Sequence, residues 1–104
     1  MDNSDELLWE VGFSSKAEKQ VGKLPADMRE RLYALKLDIE HYGPEQTSWR
    51  NYGLIIGAKD THHCHLNSGR PRFVAVWKVL DREVQIIEIK YVGPHGSVKY
   101  GLFK

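Results

Sequence analysis

The stretch KDTHHCHL, residues 59–66, carries three of the chain's five histidines and its only cysteine, Cys64. Imidazoles titrate near neutrality, so such a cluster can move protons or ligate a transition metal, or it can simply decorate a surface. The stretch reads as a strand, so its side chains alternate between two faces. His62, Cys64 and Leu66 fall on one face; Thr61, His63 and His65 fall on the other. Cys64 and Leu66 suit a core, which turns His63 and His65 away from it. The four candidate ligands therefore cannot all converge on one ion. A His-x-His pair on a strand can chelate zinc if a third ligand comes from elsewhere, and His95 is the candidate. No fitting carboxylate lies nearby in the sequence, so neither a metal nor a cofactor is expected.

Taken alone, a polar, solvated sheet face is the commoner explanation of His63 and His65. Arg72 tips the balance, because it opens the next strand just past a tight turn, close to His65. His95 follows the last strand of the same meander, and Tyr100 follows His95. Three strand ends are thus expected to meet in a concave, cationic patch of Arg, His and Tyr. Such a patch suits a phosphodiester: arginine grips phosphate bidentately, and histidine moves protons at neutral pH.

The elements that must position these residues are legible from periodicity. LLWEVGF, residues 7–13, alternates with period two and reads as a strand whose Leu7, Trp9, Val11 and Phe13 share a face. Ser15 with Glu18 forms a capping box that starts a short helix with Ala17, Val21 and Leu24 on one side. Pro25 suits the first turn of a second helix. There Met28, Leu32, Leu35 and Ile39 form one buried stripe, and Gly43-Pro44 ends it. TSWRNYGLIIGAK is read as a connection, briefly extended at residues 54–56, and Trp49, Tyr52 and Trp77 as packing residues. Three meander strands follow, at 61–66, 72–80 and 84–92, with the turns NSGRP and Asp81-Arg82 between them. GPHGSVKY is a loop and GLFK a tail. The expected fold is α+β in the order βααβββ, with two helices on one face of a small, mainly antiparallel sheet.

A chain of 104 residues suits a single domain, 1–104. Its 41% hydrophobic and 28% charged content is that of a globular protein. One cysteine allows no internal disulfide and fits a reducing cytoplasm. No apolar run is long enough to span a membrane, and the polar start MDNSDE is no signal peptide. Charge is uneven. Residues 1–42 hold six Lys/Arg against nine Asp/Glu, whereas residues 43–104 hold nine against five and four of the histidines. The second part could meet an anionic partner.

In the segments FSSKAEKQVGKLP, HCHLNSGRPRFVAVW and IIEIKYVGPHGSVKY, and in their order, the chain resembles the RelE/ParE superfamily, toxins of bacterial toxin–antitoxin pairs. The resemblance implies a RelE-like, ribosome-dependent mRNA endonuclease that works through the RNA's own 2′-OH without a metal. The partners it implies are a cognate antitoxin, the ribosome and mRNA. Family basic residues on the strand before the turn fall on His63 and His65; RelE itself carries lysines there, and some relatives with several active-site histidines imply that the exchange keeps function. The arginine falls on Arg72, the loop residue on His95 and the closing aromatic on Tyr100. The GPHGS loop has no second basic residue beside His95. Arg70 and Lys99 are candidates for further phosphate contacts. The alternatives are a ParE-like DNA gyrase inhibitor without nuclease activity, and a degenerate member that only binds.

Overall fold

The computed structural model describes residues 7–104; the polar start MDNSDE lies outside them. Strand β1 (Glu10–Phe13) leads into α1 (Ser15–Val21) and α2 (Ala26–Tyr42). Then come β2 (Gly53–Leu54), β3 (Thr61–His65), β4 (Phe73–Asp81) and β5 (Ile86–Pro94). Two 3-10 turns close the chain, His95–Ser97 and Tyr100–Phe103. The five strands form one sheet in the order β1-β5-β4-β3-β2, in which only β1 and β5 run parallel. Among the described residues no helix is long and apolar enough to cross a membrane.

The expected α+β arrangement holds, with one strand more than expected. Gly53 and Leu54 pair with His63 and His62, so the connection contributes an edge strand of two residues. The first strand is shorter than its alternation suggested. The Leu8 and Trp9 amides both donate to the Glu40 carbonyl at the end of α2, and sheet pairing begins only where Glu10 N donates to Gln85 O at 2.9 Å. Leu7 is exposed, while Val11 is buried and Trp9 and Phe13 pack on the core margin.

Helix α1 starts one residue earlier than the capping-box reading placed it. Ser14, in extended conformation, is the N-cap, and its hydroxyl accepts from Ala17 N at 3.1 Å. Of two consecutive serines, the one whose backbone leaves the strand before the first helical residue takes the cap. Ala17, Val21 and Leu24, and the α2 stripe Met28, Leu32, Leu35 and Ile39, are all buried against the sheet, as the helical spacing required. Gly43 ends α2 at φ 94°, and a side chain there would crowd the Trp9 indole.

Strand β5 departs from strict alternation. Val76 pairs with Tyr91 but Trp77 pairs with Ile89, so Lys90 is left over as a bulge. Ile87 and Ile89 therefore face the helices, while Tyr91 faces the other side, although it lies two residues beyond Ile89. There Tyr91 donates its hydroxyl proton to the Pro94 carbonyl at 2.8 Å. That hydroxyl leaves no room at residue 93: a Cβ on Gly93 would sit 2.9 Å from it. On this second face Ile55, Val74, Val76 and Tyr91 make a smaller apolar cluster, with Val98, Tyr100 and Phe103 from the tail packed on it. The face opposite the helices is thus covered by the C-terminal turns and is not the open, solvated surface that periodicity alone would allow.

Three substitutions test this packing. Ser14→Ala is expected to lower stability by about 1 kcal/mol, with Ser15→Ala close to neutral. Leu35→Ala is expected to cost roughly 2–5 kcal/mol through the cavity it leaves. Urea denaturation of the purified variants measures all three.

Candidate active site

Strand β3 presents its histidines alternately, as its sequence requires. His62 joins Cys64 on the helix face and is only 1% exposed. It is fully engaged there. The Tyr52 hydroxyl lies 2.7 Å from its Nδ1, and its Nε2 lies 2.8 Å from an Asp60 carboxylate oxygen. With Nε2–H donating to Asp60, Nδ1 is left to accept from Tyr52. The ring also stacks on Trp77 at 5.9 Å and 7°. Asp60 in turn accepts two hydrogen bonds from Arg82, which also donates to Glu45 at 2.8 Å. The Arg82 guanidinium is the main reason the Asp60 carboxyl lies below its usual range. Tyr52 therefore does more than pack. The polar Asp60-x-His62 spacing was the available sign of this network, but Tyr52, Arg82 and Glu45 reach it only through the fold. Burial pushes the Cys64 thiol up to about 12, so it stays an uncharged core side chain.

The opposite face of β3 behaves differently. His63 and His65 line one cavity of about 380 Å³ with His95 and Tyr100. The His65 and His95 rings meet edge to face at 5.3 Å, and His63 lies 5.6 Å from the Tyr100 ring. Among the described residues, His63 Nδ1 is the only buried side-chain nitrogen or oxygen without a hydrogen-bond partner. A buried polar atom left unpaired costs about 1–3 kcal/mol, so this nitrogen favours any group that reaches it with a hydrogen bond.

Arg72 sits at the mouth of this arrangement. Its carbonyl accepts from His95 N at 2.7 Å, which fixes the start of β4 beside the end of β5. Arg70, Arg72 and His95 line an adjoining hollow. His95 is shared between the two cavities and is exposed. Of the residues singled out in the sequence, His63, His65, His95 and Tyr100 are brought together, with Arg72 and Arg70 beside them. Lys99 is not. It lines a separate apolar groove with Lys16 and Lys23 from the α1 side, because the 3-10 turn at Tyr100 sends consecutive residues to different sides of the tail.

Electrostatics follow from this crowding. Burial pushes the His63 imidazole below its ordinary value, and His95 and His62 add to the shift. Burial does the same for His65, helped by the charges of His95, Arg72, His63 and Arg50. Burial raises the Tyr100 hydroxyl, which stays protonated at neutral pH. The cavity thus offers imidazoles ready to accept a proton, a neutral phenol and an adjacent guanidinium. That set can bind an anion and move protons around it. Among the described residues no three His, Cys, Asp or Glu side chains are grouped so as to hold a metal ion.

Sequence reasoning passed over Arg50, Asn51, Leu54, Ile56 and Lys104. Asn51, Leu54, Ile56 and Lys104 line the histidine cavity, and the Arg50 carbonyl accepts from His65 N at 2.7 Å. They lie in segments read as a connection and a tail, where no periodicity assigns a side chain to a face.

No protein-family model matches this sequence, and no curated protein sequence does either. Solved structures do resemble it. An E. coli toxin RelE double mutant in the free state superposes with a TM-score of 0.70 at 18% identity, covering 93% of this chain and 94% of that one. The archaeal RelE-RelB complex from Pyrococcus horikoshii OT3 gives 0.67 at 15% identity, covering 88% of this chain and all of the other. The intact E. coli RelBE toxin-antitoxin complex gives 0.60 at 19%, covering 83% and 95%. At these identities the likeness is one of fold, and the chain has the fold of RelE toxins.

The depressed imidazoles set a pH dependence. A histidine whose folded pKa lies below the ordinary 6.5 binds fewer protons folded than unfolded in the interval between the two values. The stability tied to His63 and His65 is therefore fully present above 6.5 and is lost as pH falls from there through the folded values. NMR titration of the ring protons should find both rings protonating at lower pH than in an unfolded peptide. The urea midpoint should fall between neutral pH and about pH 5, and by less in a His63→Leu, His65→Leu double variant.

Proposed function

We propose that this chain is a RelE-like toxin of a bacterial toxin–antitoxin pair, one domain over residues 1–104. In this reading it acts in the cytoplasm as a metal-independent mRNA endonuclease on the ribosome. The observation that carries the reading is the convergence of His63, His65, His95 and Tyr100 on one cavity beside Arg72, with one imidazole nitrogen of His63 unpaired. The shared fold with RelE toxins supports it, and the RelE-RelB and RelBE complexes support an antitoxin as partner.

The chemistry balances with groups of the chain and of RNA alone. His65, held neutral by its surroundings, takes the proton of a ribose 2′-OH, whose oxygen attacks the adjacent phosphorus. Arg72 stabilises the charge that builds on the phosphorane oxygens, and Arg70 adds a contact to the phosphate backbone. His63, which lines the cavity, holds the phosphate through a ring N–H. The bond to the 5′ oxygen breaks, and His95, which is exposed at the edge of the cavity, delivers a proton to that leaving oxygen. Tyr100 orients His63 or stacks on a nucleotide. The products are a 2′,3′-cyclic phosphate and a 5′-hydroxyl. A 12.0 kDa protein offers little surface to grip a message, so the ribosome is expected to supply the alignment.

Programmed ribosomes with primer extension on the message test this, with end-group analysis of the fragments. Cleavage with 5′-hydroxyl ends is expected, undiminished by EDTA. His65→Ala and His95→Ala should each slow it by roughly 10²- to 10⁴-fold, the usual weight of one general acid or base. Arg72→Ala, at an exposed strand start, should slow it by on the order of a hundredfold or more while the fold persists. Intact message together with inhibited DNA gyrase in a parallel supercoiling reaction would replace the nuclease reading with that of a gyrase inhibitor.

A further inference from the structure

One side of the histidine cavity is chemically unlike the rest. Leu54 and Ile56 line it, yet they are 61% and 88% exposed. Isolated exposed aliphatics are ordinary, but these two stand together on the rim of a cationic cavity. Their backbone is fixed: Leu54 pairs with His62, and Ile55 N donates to Thr61 O at 2.9 Å. Ile55 between them is buried in the second cluster and anchors the rim to the sheet. Asn51 lines the same cavity with φ 55°, a left-handed conformation that asparagine tolerates. Its side-chain amide is exposed and makes no hydrogen bond among the described residues.

We propose that Asn51, Leu54 and Ile56 form a base-reading subsite that seats the unpaired nucleobase next to the phosphate held by the histidines. The proposal rests on the RNA-cleavage reading and deepens it. A phosphate gains nothing from an aliphatic wall. A base has an apolar face that can lie on Leu54 and Ile56 and a polar edge that one amide, carrying both donor and acceptor, can read. Tyr100 lines the same cavity and adds an aromatic surface. Single-stranded RNA is recognised through both surfaces of a splayed base, and here both complements adjoin the reacting groups. Backbone pairing at Leu54 and Ile55 sets the rim in place before the base arrives, which limits the entropy lost on seating it.

The test uses the full chain, labelled in its methyl groups and in its Asn and His side chains. The probe is a single-stranded RNA trinucleotide made uncleavable by one 2′-deoxyribose, with a matched trinucleotide lacking the neighbouring base as control. NMR titration with the intact probe is expected to shift the imidazoles of His63 and His65 together with the Leu54 and Ile56 methyls and the Asn51 amide. The control should shift the imidazoles alone. Ile56→Ala is expected to weaken the intact probe by on the order of tenfold and leave the control unchanged. So is Asn51→Gly, which keeps the backbone conformation without strain. Imidazole shifts without methyl or amide shifts, or equal shifts from both probes, would overturn the subsite and leave the nuclease reading standing. Unmoved imidazoles with both probes would overturn the subsite as a site for RNA on the protein alone, while the nuclease reading is decided separately by cleavage on programmed ribosomes. Methyls that ignore the RNA but respond to a co-purified protein partner would assign the rim to that partner instead.

Discussion

The meeting of His95 with the β3 histidines depends on the parity of strand β5. Because strand side chains alternate, one extra residue moves all that follow to the opposite face. Lys90 is that residue. Before it, Ile87 and Ile89 face the helices; after it, Tyr91 faces away, and His95 emerges on the side of His63 and His65. Without the bulge, strict alternation from Ile89 would aim residues 91, 93 and 95 at the helices, and the cavity would lose His95. The ladder then holds the result: His95 N on Arg72 O ties the loop after β5 to the strand start that carries the guanidinium.

The two faces of β3 show how one sequence motif yields two kinds of histidine. His62 is buried with both nitrogens satisfied, in a chain of contacts through Tyr52, Asp60, Arg82 and Glu45 that ties three connections together at one end of the sheet. That set is structural in character: every polar atom of the imidazole has a partner, and burial raises the Tyr52 hydroxyl, which argues against an activated phenol. His63, the next residue, has a buried nitrogen with none. The contrast separates a histidine whose ring nitrogens are both engaged from one with an unengaged nitrogen, and it does so on hydrogen-bond satisfaction rather than on exposure. Covering the second face with the C-terminal turns serves the same end, since it excludes water from His63 and His65 and lowers their affinity for protons.

What the sequence determined by itself is whatever rests on local periodicity. The stripe Met28, Leu32, Leu35 and Ile39 set the long helix, and alternation set which β3 histidines leave the core. Short turns placed Arg72 near His65. These are consequences of fixed helical and strand repeats, which any packing must respect. Lys99 shows the limit: next to Tyr100 in sequence, it lies on another groove, because the 3-10 turn has no period long enough to read. Only the tertiary structure decided the bulge at Lys90, the choice of Ser14 over Ser15 as cap, the edge strand at Gly53–Leu54, and the gathering of Asn51, Leu54 and Ile56 around the imidazoles. Each depends on a partner elsewhere in the chain: Val76 and Trp77 for the bulge, Ile89, whose carbonyl accepts from Ser14 N, for the cap, and His62 and His63 for the edge strand that carries Leu54 to the cavity. Local propensity is nearly indifferent among the alternatives at such positions, so long-range hydrogen bonds and packing select one.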